Sequence, residues 1–236
     1  MKIIGIIPAR MESRRLPGKP LINIRGVSMI RRVYESVLNS NLFDKIIVAT
    51  PNQEIYDHVS EFGKTVMTSN KPLNGTERVF EAYQKLDDKF DFIVNVQGDE
   101  PFIKKEQLSD IISICKKPNK ICTLVKKEEY SDNIERESVM KVVINSNNEA
   151  MYFSRSLIPY QTVKKNYLKH ICIYAYDPKT LKKIISLPES SLEKYESLEQ
   201  LRWLENGFKV NVKITNLDSF SIDTKEDLIL AENYIN

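Results

Sequence analysis

Cysteine is scarce in this chain of 236 residues: Cys115, Cys122 and Cys172 are the three, and no two stand in CxxC spacing. An odd, scattered set argues against a disulfide framework or a zinc site and fits idle thiols in a reducing cytosol. Excess charge is also scarce. Thirty-five basic against 32 acidic residues leave a net charge of +3, too mild to argue for a nucleic-acid partner. The lysine pairs (Lys104-Lys105, Lys116-Lys117, Lys126-Lys127, Lys164-Lys165, Lys182-Lys183) are scattered and read as solvated helix and loop faces. No stretch approaches the ~18 apolar residues that span a membrane. The apolar opening Ile3-Ile4-Gly5-Ile6-Ile7 is stopped by Pro8 and Arg10, so it reads as a buried first strand rather than a signal peptide. No internal repeat, linker or low-complexity segment stands out.

The chain does have a core to bury, with 42% apolar and 28% charged residues, enough for one domain carrying a sizeable insertion. Strand and helix patterns alternate through the first half. Strands are expected at residues 2–7, 46–49, 65–67, 92–96 and 121–125. Helices are expected at 29–38, from Asn52 to Gly63, from a Thr76 cap to about Leu86, and at 106–115. Strands buried on both faces and separated by helices imply a parallel sheet. The second half changes character. Residues 140–144, the Asn145–Asn148 turn and 150–153 suggest a hairpin, with further strands at 171–174 and 208–214. One long amphipathic helix is expected at 192–204, stopped by Asn206-Gly207. A β-run at 220–222 precedes a last helix opened by a capping box of Thr224 and Asp227. The expected fold is an α/β sheet, mostly parallel and flanked by helices, in one domain over 1–236 with an antiparallel insertion at about 130–180.

In an open parallel sheet, ligands bind beyond the carboxyl ends of the strands. The loop after the first strand, Pro8 to Pro20, carries Arg10, Arg14, Arg15 and Lys19. Arg10, Arg15 and Lys19 can converge on a polyphosphate, with forked donors from arginine and a point charge from lysine. Gly18 would let backbone approach the anion. Composition alone leaves a solvated basic loop open. A GxGxxG fingerprint is missing, which weakens a nicotinamide-dependent oxidoreductase, and Gly18-Lys19 runs into Pro20, so this is no Walker loop. The second loop, Gln97-Gly98-Asp99-Glu100-Pro101, could be a plain turn or could hold Mg²⁺ through Asp99. Asp223 follows the 220–222 run and could meet Asp99 at one sheet edge, or could simply flank the last helix. Two carboxylates beside a cationic loop suit metal-dependent nucleotidyl transfer. A lone histidine such as His170 is more often structural, and His58 receives no role.

Taken together these segments resemble the CMP-Kdo synthetase family, the cytidylyltransferases of 3-deoxy-manno-octulosonate (Kdo). The matching pieces run from residue 3 to 228: Ile7-Pro8-Ala9-Arg10, Ser13, Arg15 to Leu21, Gly75-Thr76-Glu77-Arg78, Asn95 to Pro101, Val142-Val143, Tyr152-Phe153-Ser154-Arg155 with Ile158-Pro159, His170, Ile173-Tyr174, Leu198-Glu199-Gln200-Leu201-Arg202, Asp223-Thr224 and Glu226-Asp227-Leu228. The resemblance implies a Rossmann-like, GT-A-like nucleotidyltransferase fold and the reaction CTP + Kdo → CMP-Kdo + pyrophosphate, feeding lipopolysaccharide or capsule synthesis in the cytoplasm. By the same resemblance Arg10, Lys19 and Asp99 are catalytic. Pro8, Ala9, Arg10, Arg15, Lys19, Asn74 and Gly75 bind the nucleotide, and Asp99 and Asp223 bind Mg²⁺. Gln97, Arg155, His170, Tyr174, Glu199 and Gln200 bind the sugar, and a homodimer forms through the insertion. Asn74 stands where the family usually has serine, and it can still donate and accept. Ser221 stands where glycine is common and Lys225 where proline is common. The rival readings are CMP transfer to amino-Kdo or a sialic-acid-like sugar, and a catalytically silent nucleotide-binding module.

Overall fold

The computed structural model describes residues 1–13, 15–115 and 120–234, the Tyr234 side chain excepted. Arg14, Lys116 and Lys117 lie outside the described residues. The chain divides into two compact units, residues 1–109 with 219–236, and residues 110–218.

The first unit is built on parallel strands β1 (Ile3–Pro8), β4 (Lys45–Thr50), β5 (Thr65–Met67) and β6 (Phe92–Val96), in the order β6-β1-β4-β5. Helices α1 (Met29–Asn39), α2 (Gln53–Ser60) and α3 (Gly75–Gln84) connect and pack on them. A two-stranded ribbon, β2 (Asn23–Ile24) with β3 (Val27–Ser28), precedes α1. Ile3, Ile4, Ile6 and Ile7 of β1 are all buried, as a strand covered on both faces requires. Helix α9 (Lys225–Tyr234) belongs to this unit, and α4 (Lys105–Ile114) leads the chain into the second.

The second unit carries β7 (Ile121–Glu129), α5 (Asp132–Glu135), β8 (Lys141–Ile144), β9 (Ala150–Ser154), β10 (Asn166–Tyr176), α6 (Pro178–Ile185), α7 (Ser191–Glu196), α8 (Gln200–Glu205) and β11 (Val210–Thr215). Here β10 pairs antiparallel with β7 and β8, β8 antiparallel with β9, and β11 parallel with β7. The fold is a mixed α/β one with a mostly parallel sheet in the first unit, as the alternating pattern implies.

Four local expectations need correction. Residues 192–204 are not one helix. Ser197 adopts left-handed backbone (φ 52, ψ 47) and separates α7 from α8. The break folds Arg202 back onto Glu193, with Nε and Nη2 each 2.6 Å from a carboxylate oxygen, and both side chains are buried. Helix α3 is capped by Asn74, not Thr76: its Oδ1 accepts from the Glu77 N–H at 2.9 Å, and the helix ends at Gln84. Residues 220–222 form no strand, and the Ile222 N–H donates to the Asp99 carbonyl instead. Strand β10 spans 11 residues and β7 nine, because the charged end of β7, Lys126 to Glu129, pairs with Asn166 to Lys169 of β10 and carries no apolar signature of its own.

Candidate active site

In the first unit a cavity of about 250 Å³ opens at the carboxyl ends of β1 and β6, where an open parallel sheet places its ligands. Four segments line it. The end of β1 gives Pro8, Ala9 and Arg10, and the following loop gives Ser13, Lys19 and Pro20. The start of α3 gives Asn74, Gly75 and Arg78, and the loop after β6 gives Gln97, Gly98 and Asp99.

The basic loop is held at several points. The Met11 N–H donates to the Asn52 Oδ1 at 3.0 Å, so the residue opening α2 spends its side chain on this loop rather than on its own helix. The Gly18 N–H donates to the Met11 carbonyl at 3.1 Å, and Gly18 has φ +70, which favours glycine. Leu16 anchors the loop in an apolar cluster with Ile24, Met29, Ile222 and Ala231. Across the cavity floor, a Cβ on Gly98 would stand 2.8 Å from the Pro8 carbonyl oxygen, so only glycine lets the two strand ends close up here.

Lys19 Nζ lies 2.7 Å from Asp99 Oδ2 and 2.9 Å from Asp223 Oδ1, and Arg15 Nη2 lies 3.0 Å from Asp223 Oδ2. Burial alone would lower the Lys19 ammonium, but the two carboxylates outweigh it and raise its pKa above the ordinary lysine value. For Asp223 burial acts to raise the pKa, and Lys19 with Arg15 brings it below the usual aspartate value. Among the described residues no group of three or more His, Cys, Asp and Glu could hold a metal. Two carboxylates facing one cation suit a hard ion that keeps waters and takes further oxygens from phosphate.

Six of the seven expected nucleotide residues line the cavity. Arg15 instead reaches Asp223. Gln97, expected to meet the sugar, lines the same cavity. Asn74 also lines it, but its oxygen is engaged in capping α3. Arg78, a residue for which no role was expected, also lines the cavity. It is buried, donates to Thr68 Oγ1 at 2.6 Å and to the Ser69 carbonyl at 3.2 Å, and its pKa is lowered by burial and by Arg10 nearby. Two guanidiniums that repel one another beside an open cavity favour an anion between them. Its signal lay in the Gly75-Thr76-Glu77-Arg78 spacing, which puts Gly75 and Arg78 on one face of a helix start.

The remaining expected residues lie in the second unit. His170 is buried, its Nε2 2.9 Å from Thr123 Oγ1 and its ring edge-on to Phe153, and burial lowers its pKa to about 3. Tyr174 is buried against Trp203, and its hydroxyl has no hydrogen-bond partner among the described residues. The Arg155 guanidinium donates to the carbonyls of Glu196, Glu137 and Ser197. Glu199 is half-buried at the start of α8, and Gln200 is buried.

The sequence model of the family described as Cytidylyltransferase matches residues 4–214. A 3-deoxy-manno-octulosonate cytidylyltransferase of Parabacteroides distasonis is 50% identical over 97% of this chain and 96% of its own. One of Chlamydia pneumoniae is 42% identical over 98% and 93%. The solved structure of CMP:2-keto-3-deoxy-manno-octonic acid synthetase complexed with CTP is 36% identical, covers 100% of this chain and 98% of its own, and superposes with a TM-score of 0.91. The 4-diphosphocytidyl-2C-methyl-D-erythritol synthase of Anaerococcus prevotii, 18% identical with a TM-score of 0.66, shares the fold. The chain belongs to the cytidylyltransferase family, among the 3-deoxy-manno-octulosonate cytidylyltransferases.

Proposed function

We propose that the chain transfers CMP from CTP to the anomeric hydroxyl of Kdo and releases pyrophosphate. The observation that carries this reading is the Asp99–Lys19–Asp223 bridge, whose Lys19 and Asp99 line a cavity together with Arg10 and Arg78. Relatives bearing this name match over nearly the whole chain. The hydroxyl attacks the α-phosphorus, and the bond to the β-phosphate oxygen breaks. Catalysis is positioning plus charge neutralisation, with no covalent enzyme intermediate. The resemblance gives the triphosphate to Arg10, Arg15 and Lys19, of which Arg10 and Lys19 line the cavity, while Pro8, Ala9, Asn74 and Gly75 seat the nucleotide. Asp99 and Asp223 would hold Mg²⁺, which would neutralise phosphate charge in the transition state. The resemblance carries Kdo recognition to Gln97, Arg155, His170, Tyr174, Glu199 and Gln200. It also carries pairing into a homodimer to about residues 130–180, a cytoplasmic location, and supply of an acid sugar for lipopolysaccharide or capsule. Sedimentation as a monomer would remove the dimer from this reading.

The assay is pyrophosphate release from each of the four nucleoside triphosphates with Kdo, amino-Kdo or sialic acid, with and without Mg²⁺. Release that needs CTP, Kdo and Mg²⁺ together is expected. Turnover with sialic acid alone would move the chain to another sugar, and turnover in chelator would remove the metal.

A further inference from the structure

Lys19 is placed where two demands conflict. Its side chain is 12% exposed, and its ammonium spends two of three donors on Asp99 and Asp223. These are the carboxylates that the cytidylyl-transfer reading gives to the metal, and Lys19 is the residue it gives to the triphosphate. A divalent ion on the same two oxygens would stand within a few ångströms of the ammonium, and like charges at that distance repel strongly in a half-buried site. Arg15 closes the other side by taking the second oxygen of Asp223. On the cavity side the same loop presents Arg10, with Arg78 beyond it on α3, so an arriving polyphosphate offers the ammonium a new set of oxygens. A lysine is a point charge on a four-carbon stem and needs only rotamer changes to move between two anions.

We infer that Lys19 is a resident stand-in for the divalent cation. It bridges Asp99 and Asp223 while the nucleotide is absent, and it yields the bridge to the metal only as it moves onto the triphosphate. The inference rests on the reading above and adds an order to it. Free divalent ion binds the empty protein weakly, and metal and CTP enter as one event. By linkage, the factor by which CTP tightens the metal equals the factor by which the metal tightens CTP.

The test uses Mn²⁺ as the probe, with bound and free ion counted by its spin resonance, and needs no turnover. In the absence of nucleotide, Lys19→Met binds Mn²⁺ about tenfold or more tighter than the native protein, the scale of one partner charge beside a carboxylate. Adding Asp99→Asn to Lys19→Met erases that gain. Lys19→Gln gives the same gain, so the result does not hang on the folding of one variant. The native protein acquires its tight Mn²⁺ only when CTP is added. Equal nucleotide-free affinities in the native protein and both variants would overturn the inference and leave cytidylyl transfer standing. No bound Mn²⁺ in any of them, with or without CTP, would overturn the metal role and the inference together.

Discussion

The carbonyl oxygen of Asp99 accepts a hydrogen bond from the backbone N–H of Ile222 at 3.0 Å. That bond fastens the loop after β6 to the segment entering α9, one residue before Asp223. The capping box completes the arrangement. Asp227 Oδ2 accepts from the N–H groups of Asp223 and Thr224, and the Asp227 N–H donates to Thr224 Oγ1. Two carboxylates far apart in sequence are therefore set by backbone, and Lys19 finds both within reach. Preorganised charge of this kind is what an electrostatic mechanism needs, because little reorganisation is left for the moment of reaction.

Asp99→Asn keeps the Ile222 bond, which uses the backbone, and removes the charge. Turnover falls by about 10²–10³-fold, the usual scale for one preorganised electrostatic contact, while the thermal midpoint changes little. Steady-state kinetics beside a melting curve checks both halves. Near-native turnover would take Asp99 out of the machinery.

Lys19→Ala mainly damages the use of CTP. The ammonium is held charged by its two carboxylates, so the loss is of a full charge at every working pH. kcat/KM for CTP drops by about 10-fold or more, with the response to Kdo less affected. An unchanged CTP response would move the triphosphate elsewhere.

His170 makes stability depend on pH. Burial holds it neutral in the fold, with a pKa of about 3 against an ordinary 6.5. As pH falls below 6.5 the unfolded chain takes up a proton and the folded chain does not. Its neutral form thus costs nothing above that value, and stability is lost progressively down towards 3. Urea unfolding at pH 5 and at pH 7 should give a native loss about 2 kcal/mol larger than that of His170→Gln. Equal losses would mean that His170 titrates as it does in water.

Arg202→Met leaves the Glu193 carboxylate buried without its forked partner. The expected cost is ~3–5 kcal/mol, and Glu193→Gln with Arg202→Met recovers much of it, because no bare charge then remains inside. Urea midpoints of the three proteins decide this. A single variant as stable as the native chain would show that the pair does not hold the α7–α8 break.

What the sequence made legible follows its apolar pattern. Strands β1, β4 and β6 are continuous buried runs, and each is where that pattern puts it. Leu192 to Leu204 shows why pattern alone is insufficient. Leu192, Tyr195, Leu198 and Leu201 keep a regular spacing across Ser197, while the left-handed turn there brings Glu193 and Arg202 together, a contact that only the folded chain makes. The 220–222 run has strand composition, yet it forms no strand, and the Ile222 N–H goes to the Asp99 carbonyl. In the cavity, the loop cations and Asp99 were legible because charge after a strand end has few other uses. The Lys19 bridge and the turn of Arg15 to Asp223 depend on distances that no local spacing contains, whereas Arg78 was signalled by its place three residues after Gly75.

The most direct test is ³¹P NMR of the native protein with CTP, Kdo and Mg²⁺. CTP should disappear as CMP-Kdo, a phosphodiester, and pyrophosphate appear in equal amounts. Orthophosphate with CDP, or CTP left intact beside Kdo, would contradict the account.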